Sequence, residues 1–268
     1  MDLQLTNKKA LVTGSTAGIG FAIASLLAQE GASVIVNGRS EPRVEEAVQR
    51  IRKVRKDAQV TGVAADLGTK KGVDLLTSKI PALDILVNNL GIFEAKPFPE
   101  INDEDWLRFF EINVLSGVRL SRFYLPGMLK SNWGRIVFIS SESGVNIPVE
   151  MVHYGVTKTA QIALARGLAE TTAGTNVTVN SILPGPTRSE GVEKFVQDMA
   201  KTKGTDEAGI EAEFFRSIRP SSLLKRFATP EEVLQWSLTF AALVPRPPTE
   251  RRFELMAVWS GPSFERKP

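Results

Sequence analysis

The chain alternates short β-rich runs with helical patterns over most of its length, and this alternation most constrains its fold. Apolar residues recur at three- and four-residue spacing, as in helices that face a core, in four segments: Ile19–Gln29, Val44–Lys56, Asp103–Lys130 and His153–Thr172. Six other runs are typical of strands that are buried on both faces: Lys9–Thr13, Ala32–Asn37, Val60–Ala64, Leu83–Asn88, Arg135–Ser140 and Val177–Ile182. Strands alternating with helices predict an α/β fold, a doubly wound parallel sheet with helices on both faces.

Composition limits the number of domains and the available chemistry. The length of 268 residues permits one large domain or two small ones, and 43% hydrophobic with 24% charged residues indicates a globular chain. The net charge is only +3 and basic residues are mixed with acidic ones, so nucleic-acid binding has little support. The chain has no cysteine and one histidine, which excludes thiolate sites and leaves too few ligands for an ordinary imidazole metal cluster. Without a signal-peptide pattern or an uninterrupted apolar window of about 18 residues, we expect a cytoplasmic protein with no membrane partner.

A glycine-rich turn, Thr13–Gly20, follows the first predicted strand and opens a helix. Glycines let the backbone turn tightly and approach a pyrophosphate, while the free amides and dipole of the following helix favour its negative charge. Because the glycine spacing departs from the common GxGxxG fingerprint, a turn without a ligand is the alternative. The candidate cofactor contacts of this turn are Gly14, Ser15, Gly18, Ile19 and Gly20.

The end of the second strand reads Asn37-Gly38-Arg39 and carries no carboxylate. An acid at this position binds the ribose hydroxyls of NAD and would repel a 2′-phosphate, whereas a guanidinium can pair with that phosphate. The sequence therefore favours NADP(H) over NAD(H), with Asn37 and Arg39 as candidate contacts. Alternatively, Arg39 begins a solvated loop, and NAD(H) is not excluded.

Tyr154 and Lys158 stand at positions i and i+4 of a predicted helix and therefore on one face of it. A nearby ammonium favours the phenolate and lowers the tyrosine pKa, so the pair can act as a general acid/base. His153 precedes Tyr154, but adjacent helical residues diverge by about 100 degrees. We therefore assign His153 a packing or surface role and no part in proton transfer.

Several separated motifs occur together and in a family-like order, and each is weak evidence alone. They are the turn Thr13–Gly20, Asn88-Asn89-Leu90-Gly91, Asn113, Ser140-Ser141, Tyr154-x-x-x-Lys158 and Pro184-Gly185. In this combination the chain resembles the short-chain dehydrogenase/reductase family from about Leu5 to Val233, and especially bacterial 3-oxoacyl-carrier-protein reductase-like proteins. The resemblance implies a Rossmann-type fold in a single domain.

The resemblance also implies catalytic roles for four residues. Tyr154 would protonate the carbonyl oxygen during reduction, and Lys158 would lower the tyrosine pKa and hold the nicotinamide ribose. Both Tyr154 and Lys158 are also candidate cofactor contacts. The family serine lies thirteen residues before the tyrosine, which selects Ser141 to hydrogen-bond the substrate oxygen and leaves Ser140 as a strand-end residue. Asn113 matches the position that connects the lysine to a water-based proton relay.

Further cofactor contacts are implied by position within the family pattern. Asp66, with Leu67, matches an adenine-binding site, and Asn89 and Gly91 match a loop beside the cofactor. Leu90 stands where the family usually has alanine, which predicts tighter packing there. The nicotinamide end is assigned to four residues, of which either Thr187 or Ser189 takes the carboxamide contact: Pro184, Gly185, Thr187 and Ser189.

The implied activity is NADP(H)-dependent interconversion of a carbonyl and a secondary alcohol, with a ketone or a 3-oxoacyl compound as substrate. One alternative is an NAD-linked alcohol dehydrogenase of the same fold, and another is a non-catalytic dinucleotide-binding sensor or scaffold. The partners implied are a small-molecule substrate and a second copy of the chain, as a dimer or tetramer. A helical segment rich in charge, Phe195–Ile218, is a candidate mobile lid, with a plain surface helical pair as the alternative.

The family pattern stops after Val233, which divides the chain into a domain at residues 1–233 and an atypical tail at 234–268. The family ends in a strand that closes the sheet and in a subunit interface, so this departure bears on oligomerisation and activity. Codons can be chosen for Arg252–Trp259 whose shifted frame reads Ala-Leu-Arg-Val-Asp-Gly-Gly-Val, a family-like ending. We therefore hypothesise a frameshift near Leu234, with divergence as the alternative and gene sequencing as the test. Phe253–Trp259 remains apolar enough to imitate the last strand.

Overall fold

The computed structural model describes residues 5–220, 222–237 and 256–257. Its centre is a parallel sheet of seven strands in the order β3-β2-β1-β4-β5-β6-β7. The strands are β1 (Lys9–Val12), β2 (Ser33–Gly38), β3 (Val60–Ala64), β4 (Ile85–Asn88), β5 (Gly134–Ile139), β6 (Val177–Leu183) and β7 (Met256–Ala257). The predicted Rossmann-type α/β fold is confirmed.

Helices connect the strands in the described part of the chain. They are α1 (Gly18–Gln29), α2 (Glu41–Val54), α3 (Lys70–Lys79), α4 (Asp103–Phe110), α5 (Ser116–Lys130), α6 (Val152–Thr171), α7 (Glu190–Lys203), α8 (Glu207–Glu213) and α9 (Pro230–Ser237). The helix predicted over Asp103–Lys130 is interrupted by a π-helical turn at Glu111–Leu115. The sequence analysis missed α3, which begins where the hydroxyl of Thr69 accepts a hydrogen bond from the Gly72 amide.

Apolar side chains cover both faces of the sheet, as expected for parallel strands. On β1, Val12 belongs to the cluster packed under α1 and α2, while Leu11 belongs to the opposite cluster under α3, α5 and α6. Both side chains are fully buried. This two-sided burial explains why the strands appear in the sequence as continuous apolar runs rather than as alternating patterns.

The order of the strands determines where a ligand can bind. β1 pairs with β2 on one side and with β4 on the other, so the connections leave β1 in opposite directions. In open α/β sheets, ligands bind in the crevice that such a reversal leaves at the carboxyl ends of the strands. The turn after β1, Asn88-Asn89 at the end of β4 and Ser140-Ser141 after β5 all lie at this edge.

The segment that contains the predicted lid forms α7, α8 and a π-helical turn at Phe214–Ile218. Its apolar side chains form a small cluster with Phe227, separate from the two sheet clusters: Val196, Ala200, Ile210 and Phe215. Arg188 joins the segment to the preceding loop through ion pairs with Glu207 and Glu211, at 3.4 and 2.8 Å. Motion of this segment stays a prediction.

The tail contributes the last strand of the sheet. Met256–Ala257, inside the predicted apolar run Phe253–Trp259, pairs in parallel with Ile182 and Leu183 of β6. Apart from these two residues and the end of α9, the predicted atypical tail lies outside the described residues, and the frameshift hypothesis concerns that part. Within the described ranges, every helix is too short or too polar to cross a membrane.

Candidate active site

The glycine-rich turn after β1 is held to the end of β4. Gly14 and Gly18 have φ angles of +60° and +56°, values that favour glycine. The side-chain amide of Asn89 donates to the carbonyl oxygens of Thr13 and Gly14, at 2.9 and 3.0 Å. The Thr13 hydroxyl in turn accepts from the amides of Asn89 and Leu90, both at 2.9 Å. The side chain of Asn89 therefore holds the glycine-rich turn in shape. The family pattern had predicted a cofactor contact for this residue.

The same turn leaves a backbone surface fit for a phosphate group. A Cβ on Gly20 would lie 2.4 Å from Asn89 Nδ2 and 2.6 Å from the Gly14 oxygen, so only glycine permits this close approach. Helix α1 begins at Gly18, and Ala17 before it provides no side-chain cap. The first amides of a helix have no intrahelical partner and attract anions. The residues present therefore fit a dinucleotide pyrophosphate.

Two of the predicted cofactor contacts, Ser15 and Asn37, point into the protein. The Ser15 hydroxyl donates to Val12 O at 2.7 Å and accepts from Asn37 N at 3.0 Å. Asn37 Oδ1 accepts from Gly14 N at 3.1 Å, and its Nδ2 donates to carbonyl oxygens of the β3 region at 3.1 Å. Both side chains are buried, so they stabilise the turn from the protein interior and do not face a ligand.

Arg39 is solvent-exposed at the end of β2, and no ion-pair partner for it is found among the described residues. Arg43, one helical turn later, is instead paired with Glu190 of α7 at 2.6 Å. Thr16 of the glycine-rich turn lies over Gly38, where an added Cβ would meet its methyl group at 2.5 Å. Thr16 therefore lies next to Gly38, the residue before Arg39. No pattern in the sequence indicated this contact, because Thr16 and Gly38 are 22 positions apart.

Ser141, Tyr154 and Lys158 meet beyond the ends of β4 and β5. The hydroxyls of Ser141 and Tyr154 share a hydrogen bond, and Ser141 Oγ also accepts from Ser143 N at 3.1 Å. Lys158 Nζ lies 5.6 Å from the centre of the Tyr154 ring. A Cβ on Gly91 would be 3.4 Å from Lys158 Nζ, which brings the loop after β4 to the same point. The sequence prediction that these side chains share one location agrees with this geometry.

Hydrogen bonds of Ser140 and Thr157 position the start of α6. The buried Ser140 hydroxyl donates to the backbone oxygen of Lys158 at 2.8 Å. The Thr157 hydroxyl donates to Tyr154 O at 2.7 Å and accepts from Asn113 Nδ2 at 3.0 Å. Ser140 is therefore more than a strand-end residue, because it joins β5 directly to the backbone of the lysine.

Asn113 lies in the π-helical turn between α4 and α5 and is almost fully buried. Its Oδ1 accepts from Ile92 N at 2.7 Å, and its Nδ2 donates to Ile92 O at 3.0 Å. Its backbone oxygen accepts from Gln161 Nε2 at 2.6 Å. Gln161 also accepts from Lys158 Nζ at 3.1 Å. The sequence analysis missed Gln161, although its place three residues after Lys158 puts it on the same helix face.

Burial sets the proton affinities of the two titratable groups. It lowers the pKa of Lys158 to about 7. Burial also raises the pKa of Tyr154, and the hydrogen bond from Ser141 opposes that rise only in part. The sequence analysis expected Lys158 to lower the tyrosine pKa. In this structure burial of the phenol is the largest influence and raises that pKa, and the charges that act on it are those of Glu142 and Arg219.

A buried ion pair borders Ser141 on the side of the predicted lid segment. Arg219 Nε donates to Glu142 Oε1 at 3.1 Å, and its Nη1 donates to Glu150 Oε1 at the same distance. The side chains of Arg219 and Glu142 are only 9% and 6% exposed. Glu142 follows Ser141 directly, so this pair joins the residue next to the candidate catalytic serine to the segment after α8. Nothing local in the sequence indicated a contact between residues 77 positions apart.

The segment Pro184–Ser189 lies between β6 and α7, but its hydroxyls are already engaged. Thr187 Oγ1 donates to Gly185 O at 2.9 Å, and Ser189 Oγ caps α7 by accepting from Val192 N at 3.4 Å. The Ser189 Cβ would be 3.3 Å from a Cβ on Gly18, so this serine faces the glycine-rich turn. The choice between Thr187 and Ser189 for the carboxamide stays open.

The predicted adenine contacts differ in exposure. Asp66 is exposed, and its Oδ1 accepts from Gly68 N at 3.1 Å, whereas Leu67 is buried in the sheet cluster. Any contact of Leu67 with a ligand therefore runs through its backbone. No cluster of three or more potential metal ligands occurs within residues 5–220, 222–237 and 256–257.

His153 is buried on the face of α6 away from Tyr154 and Lys158. Its ring lies 3.9 Å from the centre of the Phe109 ring and 6.1 Å from that of Trp106. Neither ring nitrogen has a hydrogen-bond partner in the described structure. Burial lowers the pKa of this imidazole, with the surrounding charges as smaller effects. The placement agrees with the predicted packing role.

We expect the substitution His153→Leu to remove an acid sensitivity of the fold. Below the ordinary imidazole pKa of about 6.5, the histidine of the unfolded chain binds a proton, whereas the buried ring of the folded protein does not. The free energy of unfolding of the wild type therefore decreases as the pH is lowered, by up to about 1.4 kcal/mol per pH unit. Urea unfolding of untagged protein between pH 5 and 7.5 measures this, and the contributions of carboxylates cancel between wild type and variant. Parallel stability curves for the two proteins would refute the prediction. At pH 7 the variant should be more stable by about 1 kcal/mol, because two unpaired buried polar atoms disappear.

A doubly wound parallel sheet with a phosphate-binding turn and a Ser-Tyr-Lys cluster at its carboxyl edge defines a class of oxidoreductases. A family model described as short chain dehydrogenase matches residues 8–200, and the chain belongs to this family. It is 47% identical over 233 residues to the uncharacterized oxidoreductase YvaG of Bacillus subtilis, covering 87% of this chain and 88% of the relative. It is 33% identical to the 3-oxoacyl-[acyl-carrier-protein] reductase FabG of Aquifex aeolicus, with 87% and 89% covered.

A solved structure supports the same family. The L-sorbose reductase of Gluconobacter frateurii, complexed with NADPH and L-sorbose, superimposes with a TM-score of 0.83 at 32% identity. The match covers 90% of this chain and 92% of the reductase. The protein is therefore an oxidoreductase of the short-chain dehydrogenase family.

Proposed function

We propose that the protein is an NADP(H)-dependent oxidoreductase that interconverts a carbonyl and a secondary alcohol, with a ketone or 3-oxoacyl compound as substrate. The observation that carries the proposal is the meeting of Ser141, Tyr154 and Lys158 beside Gly91, at the edge of the sheet where the glycine-rich turn lies. The relatives named above include reductases of a ketose and of 3-oxoacyl groups.

The preference for NADP(H) is supported by charge at the end of β2. Arg39 is exposed and lacks a carboxylate neighbour in the strand end, and Thr16 lies over the preceding residue, Gly38. A guanidinium pairs well with a 2′-phosphate. The sorbose reductase structure, whose fold this chain shares, contains NADPH. NAD(H) remains the alternative cofactor, and a carboxylate-free strand end argues against it.

The chain's own residues can hold and protonate a carbonyl oxygen. The amides at the start of α1 and the Gly14 turn would hold the pyrophosphate, and Lys158 would hold the nicotinamide ribose. When bound, the dinucleotide supplies hydride to the substrate or accepts it. Ser141 donates a hydrogen bond to the substrate oxygen, and Tyr154 gives that oxygen its proton. The raised pKa of Tyr154 keeps the hydroxyl protonated at neutral pH, which suits reduction.

The direct test is oxidation of NADPH, followed by absorbance, with a panel of ketoses, 3-oxoacyl thioesters and simple ketones. We expect turnover with at least one member and a slower reaction with NADH. If NADPH binds but no member is reduced, the non-catalytic sensor is favoured instead. Equal rates with both cofactors would favour the NAD-linked alternative.

Arg39→Ala should weaken NADPH binding by about 10- to 100-fold, the usual value of a charge-assisted hydrogen bond to phosphate. NADH binding should be unchanged, because NADH has no 2′-phosphate. Arg43→Ala is the matched control, since Arg43 is also exposed but is paired with Glu190. Isothermal titration of both variants with both cofactors measures the effect. Equal losses of NADPH affinity in the two variants would show that Arg39 has no specific role.

A further inference from the structure

A glutamine side chain connects Asn113 to the catalytic lysine. Gln161 Nε2 donates to the backbone oxygen of Asn113 at 2.6 Å, and Gln161 Oε1 accepts from Lys158 Nζ at 3.1 Å. Gln161 is 2% exposed and lies one helical turn after Lys158. The family resemblance assigns Asn113 to a water-based proton relay, and the Gln161 side chain also links Asn113 to Lys158 directly.

The orientation of the amide follows from its two partners. A carbonyl oxygen can only accept and an ammonium can only donate, so the NH2 group must face Asn113 and the oxygen must face Lys158. The reversed amide would place two acceptors together and two donors together. The bridge therefore has one arrangement that satisfies both ends, in a region closed to solvent.

Lys158 has one N–H left for another partner. Its ammonium carries three donors. One is used by Ile139 O at 2.9 Å and one by Gln161. Lys158 as a residue is only 4% exposed, so these two carbonyl oxygens take the place of water around the ammonium charge. Without them, the buried charged form would be costly.

We propose that Gln161 is a positioning residue for the catalytic lysine, joining Lys158 Nζ to the backbone of the π-helical turn and stabilising its charged form. The proposal rests on the proposed function for its catalytic consequence. A carboxamide does not release a proton near neutral pH, so the bridge holds the lysine without conducting protons. Gln161 thus sets the direction and the charge state of Lys158, and leaves its third N–H free for the ribose.

Two substitutions of opposite character separate this role from a packing role. Gln161→Leu removes the acceptor, disfavours the ammonium and should lower the pKa of Lys158 below its value of about 7. Gln161→Glu puts a carboxylate beside Lys158 and should raise that pKa by about one unit or more. Gln49→Leu, an exposed glutamine on α2, is the matched control and should change nothing.

The readout is the pH titration of the Lys158 Cε signal by NMR in protein labelled with 13C-lysine, assigned by its loss in Lys158→Met. It needs no turnover, so it tests Gln161 even if every carbonyl substrate fails. In active protein, the basic limb of the profile of kcat/KM against pH should shift with the pKa of Lys158. We expect it to move to lower pH in Gln161→Leu and to higher pH in Gln161→Glu. Unchanged Lys158 titration in both variants, or shifts in the same direction, would overturn the proposal.

Discussion

Replacing Tyr154 by phenylalanine should reduce kcat/KM for carbonyl reduction by about 10³-fold or more, within the range of general acid catalysis. The change removes one hydroxyl, the proton donor, and leaves the ring in its edge contact with Phe93, at 6.3 Å between centres. Steady-state oxidation of NADPH at pH 7 with the best panel substrate measures the loss.

The cofactor site serves as the internal control for this variant. NADPH affinity should change less than about threefold, because Tyr154 would act on the substrate oxygen. The thermal midpoint should stay close to that of the wild type. Turnover within about tenfold of the wild type would remove Tyr154 from the role of proton donor.

Lys158→Met should lower kcat/KM by about 10²-fold or more, since it removes the amine that would hold and orient the nicotinamide ribose. The same change should make the protein relatively more stable at low pH than at high pH. The folded-state pKa of Lys158, about 7, lies below its unfolded value. Between these two values the unfolded chain binds more protons, so the wild type gains stability as pH rises through this range, and the methionine variant does not.

Urea unfolding at pH 6 and pH 9 measures this difference. The stability of the variant relative to the wild type should be greatest at pH 6 and fall by about 1 kcal/mol or more at pH 9. A pH-independent difference would mean that Lys158 keeps an ordinary pKa in the fold. Stability gained by removing a catalytic group is common where a site needs a buried charge.

The fold could be predicted because its strands are buried on both faces. The runs at Lys9–Thr13 and Val60–Ala64 agree with β1 and β3 to within a residue, since two-sided burial leaves few polar residues inside a strand. Helix α3 was missed because its start, the exposed Lys70 and Lys71 followed by the buried Gly72, carries no apolar periodicity. Its cap residue Thr69 was the remaining signal.

The site could be predicted where chemistry depends on spacing along one element. Tyr154 and Lys158 follow from an i, i+4 pattern. The inward direction of Asn37 could not be predicted, because the partners of its side chain, Gly14 and Val63, lie in the turn after β1 and in β3. Gln161 and Arg219 were missed for the same reason, since their partners Asn113 and Glu142 are 48 and 77 residues away.

The tail illustrates how backbone pairing can persist where a family pattern ends. Met256–Ala257 pairs with β6 although the sequence around it departs from the family ending. The pairing needs only backbone groups and an apolar pair of residues. The frameshift near Leu234, the division of the chain at Val233 and the homo-oligomer stay predictions.

Transfer of a deuterium label tests most directly whether this chain is an active carbonyl reductase. Wild-type protein is incubated with each C4-deuterated epimer of NADPH and the substrate panel, and the alcohols are analysed by mass spectrometry. We predict deuterium on the carbinol carbon from one epimer, and loss of that product in Tyr154→Phe. If NADPH binds and no alcohol gains deuterium from either epimer, the assignment of Ser141, Tyr154 and Lys158 as a working catalytic site is contradicted.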